Sequence, residues 1–243
     1  KNHLNYSVYI FLKMSFALIN IYVKYLSFKY TTTLEMLQQY YEKDKLELGI
    51  DEVGRGCLLG PIVVGGVIWT DNDPLLGYDI KDSKKCSLKT RKILNDYITS
   101  FSIAHNIQLI NEQEVDSMNV LHATMKGMHL CIDKIINEIN IDTILVDGTY
   151  FPFYTDKDAF EIVPHMCIKN GDNIYKSIAA ASIIAKEYRD IYISELVSTY
   201  PELKKYDIEN NKGYGTKKHI DAIKEYGITP WHRKTFGICR EYC

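Results

Sequence analysis

No Cys-x-x-Cys pair occurs in the 243 residues, and the six cysteines (Cys57, Cys86, Cys131, Cys167, Cys239 and Cys243) follow no paired spacing. That excludes a zinc ribbon and a disulfide scaffold, and leaves reduced thiols in a reducing compartment, here the cytoplasm. The histidines do not gather around them, so none is expected to ligate a metal. There is no excess of one charge either: 29 Lys and Arg face 31 Asp and Glu, a net of -2. Any nucleic-acid binding must therefore come from local basic patches. A long hydrophobic run is also missing. Lys13 and Lys24 interrupt the apolar stretch Val8 to Phe28, and the uncharged part, Met14 to Val23, is shorter than the roughly 17–25 residues of a spanning helix. No small-residue cleavage site follows it. Residues 1–30 are expected to be an extension outside the folded domain, with Met14 available as a start, and no membrane is expected as a partner. Internal repeats and low-complexity linkers are absent too.

What is present reads as a mixed α/β domain. Leu34, Leu37, Tyr40 and Tyr41 predict a short amphipathic helix from Leu34 to Tyr41. Leu46 to Ile50 predicts a strand, Gly60-Pro61 a turn, and Ile62 to Trp69 a second, fully buried strand. Asp71 to Gly77 reads as a loop, and Ser87 as the N-cap of a helix through Tyr97. Ile103 to Ile110 is a third strand, followed by helices over Glu112 to Met118 and Leu121 to Asn140. Ile144 to Val146 and Glu161 to Ile168 are the fourth and fifth strands. The chain then turns helical, from Lys176 to Tyr200 and again from Lys217 to Tyr226. The run Ser177-Ile178-Ala179-Ala180-Ala181-Ser182 predicts close packing against a sheet, because small side chains permit close approach.

Four acids stand where apolar runs end in glycine. Asp51 and Glu52 lie in Gly49-Ile50-Asp51-Glu52-Val53-Gly54-Arg55-Gly56, Asp147 precedes Gly148, and Asp172 follows Asn170-Gly171. Strand ends beside glycine turns aim carboxylates into a shared cleft. Carboxylates brought together repel unless a hard cation neutralises them, and oxygen-only donor sets suit magnesium or manganese. Neighbouring residues on a strand point to opposite faces, so Asp51 and Glu52 share one site only where the strand ends or bulges. Asp147 and Asp172 taken singly read as turn residues, Asp172 in a hairpin turn.

Basic and aromatic side chains supply the local patches. Asp82-Ser83-Lys84-Lys85 reads as a capped helix entry or a phosphate clamp. In Lys212-Gly213-Tyr214-Gly215-Thr216-Lys217-Lys218-His219, Tyr214 can stack on a sugar or base while Lys217 and Lys218 meet phosphates. Pro230-Trp231-His232-Arg233-Lys234 repeats that theme. From Pro201 to Cys243, nine Lys and Arg stand against six Asp and Glu.

Together the motifs from Gly49 to Gly56, Asp82-Ser83-Lys84, Val146-Asp147-Gly148, the small-residue run from Ser177 to Ser182, and Lys212-Gly213-Tyr214 resemble the ribonuclease HII family (type 2 ribonucleases H). Thr229-Pro230-Trp231-His232-Arg233-Lys234-Thr235-Phe236 is similar to that family's closing segment. The resemblance runs from about Leu34 to Phe236. It implies a ribonuclease H-like mixed five-stranded sheet flanked by helices over 31–200, with a C-terminal helical substrate-binding region over 201–243. It implies that Asp51, Glu52, Asp147 and Asp172 hold two Mg²⁺ or Mn²⁺ ions for hydrolysis of a phosphodiester. It further implies that Gly54, Arg55 and Gly56 sense the ribonucleotide 2′-hydroxyl, Tyr214 packs on the adjacent deoxyribose, and Lys84 meets the backbone. The implied substrates are RNA/DNA hybrids and duplex DNA carrying a single ribonucleotide, cut by a monomer to 5′-phosphate and 3′-hydroxyl ends. The chain departs from the family in one place: Asn170 stands where a lysine usually precedes Gly-Asp. No sliding-clamp-binding peptide is evident in the seven residues after Phe236. The rival from another class is a catalytically impaired, hybrid-binding protein.

Overall fold

The predicted strands assemble into one mixed sheet in the computed structural model, which describes residues 37–69, 80, 86–156 and 158–243. These fall in one compact unit. The extension over residues 1–30, the loop Asp71 to Gly77 and the Asp82-Ser83-Lys84-Lys85 motif lie outside the described residues.

The order across the sheet is β3 (Ala104–Ile110), β2 (Ile62–Ile68), β1 (Glu47–Val53), β4 (Thr143–Asp147) and β7 (His165–Ile168). β2 runs antiparallel to both β1 and β3, whereas β4 pairs parallel with β1 and β7 parallel with β4. β2 is apolar along its whole length and buried at every position because helices cover both faces of the sheet. α2 (Glu112–Ile136) covers one face and α3 (Lys176–Thr199) the other.

The small-residue run lets α3 lie directly on β1 and β2. A Cβ on Gly65 would stand 2.3 Å from the Ala181 carbonyl oxygen, so only glycine permits this approach. α1 (Leu88–Phe101) packs against α3 and starts at Ser87, whose hydroxyl accepts from the Thr90 N–H at 3.1 Å. Such a cap contributes about 1 kcal/mol. The two helices expected after β3 form one long element broken at Asn119, where φ is 68°. Asn111 and Glu114 close its start as a reciprocal capping box.

Two expected elements differ. Leu37–Tyr41, the described part of the Leu34 to Tyr41 helix, is not helical: Gln38 pairs in an extended bridge with Tyr175. The backbone finds its partners across the chain (Gln38 N–H to Ile174, Lys176 N–H to Gln38), which outweighs a weak local periodicity. The single strand from Glu161 to Ile168 is two. β6 (Ile162–Val163) pairs with β5 (Tyr154–Thr155) in a separate ribbon, and β7 joins the main sheet. Pro164, lacking an N–H, separates them.

Beyond α3, turns and short helices pack on its far end. α4 (Ile208–Asn211), α5 (Lys217–Tyr226) and the 3₁₀ turns Pro201–Tyr206 and Gly237–Tyr242 enclose a second apolar cluster. Leu59, Ile193, Val197, Leu203, Tyr206 and Ile223 are among its members.

Candidate functional site

The ladder between β1 and β4 stops at Ile50 opposite Val146, one step before Asp51 and Asp147. β1 nevertheless continues, without a bulge, to Val53 against β2. Asp51 and Glu52 therefore occupy a stretch of strand that is paired on one side and open on the other. This, rather than a strand end, is how adjacent acids come to share one region. Asp51 turns toward α3, where the Ser182 hydroxyl bonds it, and its Oδ1 accepts the Glu52 N–H at 2.7 Å. Glu52 turns the other way and pairs with Arg55 at 3.0 Å.

Asp147 ends β4, and its Oδ1 accepts the Gly171 N–H at 2.7 Å. That bond ties the end of β4 to the 3₁₀ turn Gly171–Asn173, which carries a buried Asp172. The Asp172 Oδ1 accepts from the Asn173 side chain at 2.9 Å. The turn is not the hairpin that Asn170-Gly171 suggested. Asn170 sits in the left-handed region at φ 56°, a conformation asparagine adopts more readily than lysine. The departure at this position thus suits the local backbone.

The acids disturb one another. Burial first, then the charges of Glu52 and Asp147, holds Asp51 well above the usual carboxylate range, against the bonds from Ser182 and the Glu52 N–H. Glu52 is raised by burial and by Asp147, with Arg55 opposing. Among the described residues no three acidic, histidine or cysteine side chains already stand in ligating geometry, each acid being turned to a local partner. The donor set still fits a hard divalent cation: four carboxylates, Asp51 and Asp172 buried, Glu52 and Asp147 partly so, with charge repulsion among Asp51, Glu52 and Asp147.

Next to the acids, Gly54 takes φ +90° and turns the chain into the exposed Arg55 and Gly56. A Cβ there would lie 2.4 Å from Arg189 Nε, so Gly54 rests directly on that guanidinium. Cys57 then pairs with Tyr214 in an antiparallel bridge, placing the half-exposed Tyr214 beside the Gly54–Gly56 segment. Gly54, Arg55, Gly56 and Tyr214 thus come together, along one border of the acids. Lys84 lies outside the described residues.

One reading of the tail requires correction. His232 and Arg233 do not form a surface phosphate patch, being 1% and 0% exposed. Arg233, lowered to about 10 by burial, still keeps its charge at neutral pH. His219 and His232 meet Nε2 to Nε2 at 3.0 Å. His232 Nδ1 accepts the Thr229 N–H at 2.9 Å, so its Nε2 carries the proton and donates it to His219. His219 in turn donates from Nδ1 to the Tyr214 carbonyl at 2.9 Å. Burial, then His219, pushes His232 down to about 3; burial also lowers His219. Sequence reasoning missed Ser182, Arg189 and this histidine pair. Their roles depend on contacts between distant segments that leave no periodic signal.

A five-stranded mixed sheet with helices on both faces, and acids on the adjacent strands β1 and β4, is the architecture of ribonuclease H-like nucleases. The Ribonuclease HII profile matches residues 48–239. Curated relatives named Ribonuclease HII include one from Parabacteroides distasonis, 40% identical over 206 residues, covering 85% of this chain and 97% of the relative. Another, from Phocaeicola vulgatus, is 40% identical over 208 residues, covering 84% and 94%. Among solved structures, the ribonuclease H2 of Pyrococcus horikoshii aligns at TM-score 0.62 and 25% identity, over 81% of this chain and 96% of that one. Bst-RNase HIII in complex with Mn²⁺ shares the fold at TM-score 0.62 and 18% identity, over 82% and 69%. The chain belongs to the ribonuclease HII family and is a type 2 ribonuclease H.

Proposed function

We propose that the protein hydrolyses the RNA strand of RNA/DNA hybrids and nicks on the 5′ side of single ribonucleotides embedded in duplex DNA, leaving 5′-phosphate and 3′-hydroxyl ends. The observation that carries this reading is the placement of Asp51 and Glu52 on β1 next to Asp147 at the end of β4, where the ladder between those strands stops, with Asp172 on the turn bonded to Asp147 and the Gly54–Gly56 turn and Tyr214 alongside. Asp51, Glu52, Asp147 and Asp172 would hold two Mg²⁺ or Mn²⁺ ions. When bound, such ions supply water activation and neutralise charge developing on the leaving 3′-oxygen. Ser182 and the Glu52 amide orient Asp51, while the Gly171 amide orients Asp147. The backbone of Gly54, Arg55 and Gly56 reads the 2′-hydroxyl, the one group that separates ribose from deoxyribose. Tyr214 stacks on the neighbouring sugar, and Lys84 meets the backbone. The absence of any paired cysteine spacing fits a reducing cytoplasm. Among the described residues no helix is long and apolar enough to cross a membrane.

The test is a duplex with one embedded ribonucleotide, incubated with Mg²⁺ or Mn²⁺ and analysed for end chemistry. A nick 5′ of the ribonucleotide with a 3′-hydroxyl is expected. Tight binding without a nick would favour the hybrid-binding rival instead. That rival drew on Asn170, whose left-handed backbone gives the residue a conformational reason.

A further inference from the structure

Two arginines are completely buried, Arg189 on α3 and Arg233 in the closing segment. Among the described residues neither stands within ion-pair distance of a carboxylate. A buried charge without a counter-ion is costly unless dipoles replace its water. Backbone carbonyls do so for Arg189 and in part for Arg233, whose Nη2 has no hydrogen-bond partner among the described residues and whose charge also feels Glu112 and Asp116. Arg189 donates to Pro61 O at 3.0 Å, Leu59 O at 3.0 Å and Lys212 O at 2.7 Å. Arg233 donates to Gly60 O and Arg55 O, both at 2.9 Å.

Those five carbonyls come from two stretches only, 55–61 and 212. The first continues directly from the Gly54-Arg55-Gly56 turn and the second leads into Tyr214. The Arg189 guanidinium carbon also lies 5.9 Å from the centre of the Tyr214 ring. Further backbone bonds sew the segments together: Leu58 N–H to Gly213 O at 2.8 Å, Gly60 N–H to Trp231 O at 2.9 Å, and Arg233 N–H to Leu58 O at 2.8 Å. Arg233 does something more specific. A trans peptide points its C=O and N–H in opposite directions. With the Arg55 carbonyl drawn inward to Arg233, the Gly56 N–H of the same plane faces the other way, on the exposed side of the turn.

We propose that Arg189 and Arg233 are positioning residues that fix the Gly54–Gly56 turn and the Tyr214 loop as one rigid sugar-reading surface, with Arg233 setting the plane of the Arg55–Gly56 peptide. This rests on the functional reading above. A fork with several fixed donors does this, whereas the ammonium of lysine, a point donor on a flexible stem, does not.

The test compares wild type with Arg233→Lys and Arg189→Lys. The readout is the ratio of kcat/KM on a duplex with one embedded ribonucleotide to kcat/KM on a uniform RNA/DNA hybrid. Because it is a ratio within one preparation, partial unfolding cancels. The single ribonucleotide leaves one sugar to be recognised, whereas a hybrid offers many registers. We expect the ratio to fall at least about tenfold in each Lys variant, since small misplacements of a reading group carry penalties of that size. Guanidinium added to Arg233→Ala should raise the ratio again, against an equal-salt control. A wild-type ratio in whichever Lys variant folds, with both substrates cut by wild type, overturns the proposal and leaves the nuclease reading standing. A wild type that nicks neither substrate overturns both.

Discussion

Acid should loosen the closing segment before it reaches the sheet, and the histidine pair sets the size of the effect. His232 is held down to about 3 by burial and by His219, while in the unfolded chain it titrates near 6.5. A lowered folded value means that the unfolded chain binds the extra proton first. The contribution to stability is therefore complete above about 6.5 and is lost as pH falls from there toward 3. At pH 5 the loss from His232 alone is about 2 kcal/mol, or about 4–8 °C in Tm for a chain of this size. His219, also lowered by burial, acts in the same direction. Asp51 and Glu52 act in the opposite one: their folded values are raised, so protonating them as pH falls favours the fold. Wild-type melting alone thus mixes opposing slopes. The difference between wild type and His232→Asn, followed from pH 7 to 5 by calorimetry without metal, isolates the histidine. Asparagine keeps an oxygen for the Thr229 N–H and removes the titration. The gap in Tm should narrow by about 4–8 °C over that range. A gap that stays constant would show that His232 does not resist its proton, and the tautomer chain through His219 to Tyr214 would be wrong.

Asp51→Asn should lower cleavage by on the order of a thousandfold, about 4 kcal/mol of transition-state stabilisation, while substrate binding by gel shift persists. Without metal the same variant should melt higher, by on the order of 1 kcal/mol, because a repelling buried charge has been removed. Gly65→Ala should cost about 1–3 kcal/mol in denaturant titration, its Cβ meeting the Ala181 carbonyl oxygen at 2.3 Å. An unchanged midpoint would mean that α3 does not sit on β2 as described. Tyr214→Ala should reduce nicking at a single ribonucleotide by about 1–3 kcal/mol of stacking, with little change in Tm, since the residue is 40% exposed.

The strands and helices that were legible in the sequence are those whose own pattern carries them. The all-apolar β2, Ser87 at the start of α1, and α5, found at the very residues expected, needed no tertiary information. Leu37–Tyr41 was misread because its partners lie some 137 residues downstream, at Ile174 to Lys176. The Glu161 to Ile168 run was misread because its apolar residues concealed that Pro164 sends its halves to different sheets. In the site, acids and glycines announced themselves by their adjacency. The buried arginines and histidines did not. A sequence marks Arg233 only as basic, and basic residues are mostly solvated. Its burial follows from carbonyls more than 170 residues away, at Arg55 and Gly60.

That separation bears on how the molecule matures. Asp51 and Glu52 belong to the first strand of the main sheet to leave the ribosome, and sheet formation can begin around them early. The carbonyls of Arg55 and Gly60, however, wait for a guanidinium that emerges last. Until residue 233 has been made, the turn over residues 54–56 lacks the donors that hold its carbonyls, so this border of the acids takes its final form only after all four acids have been synthesised.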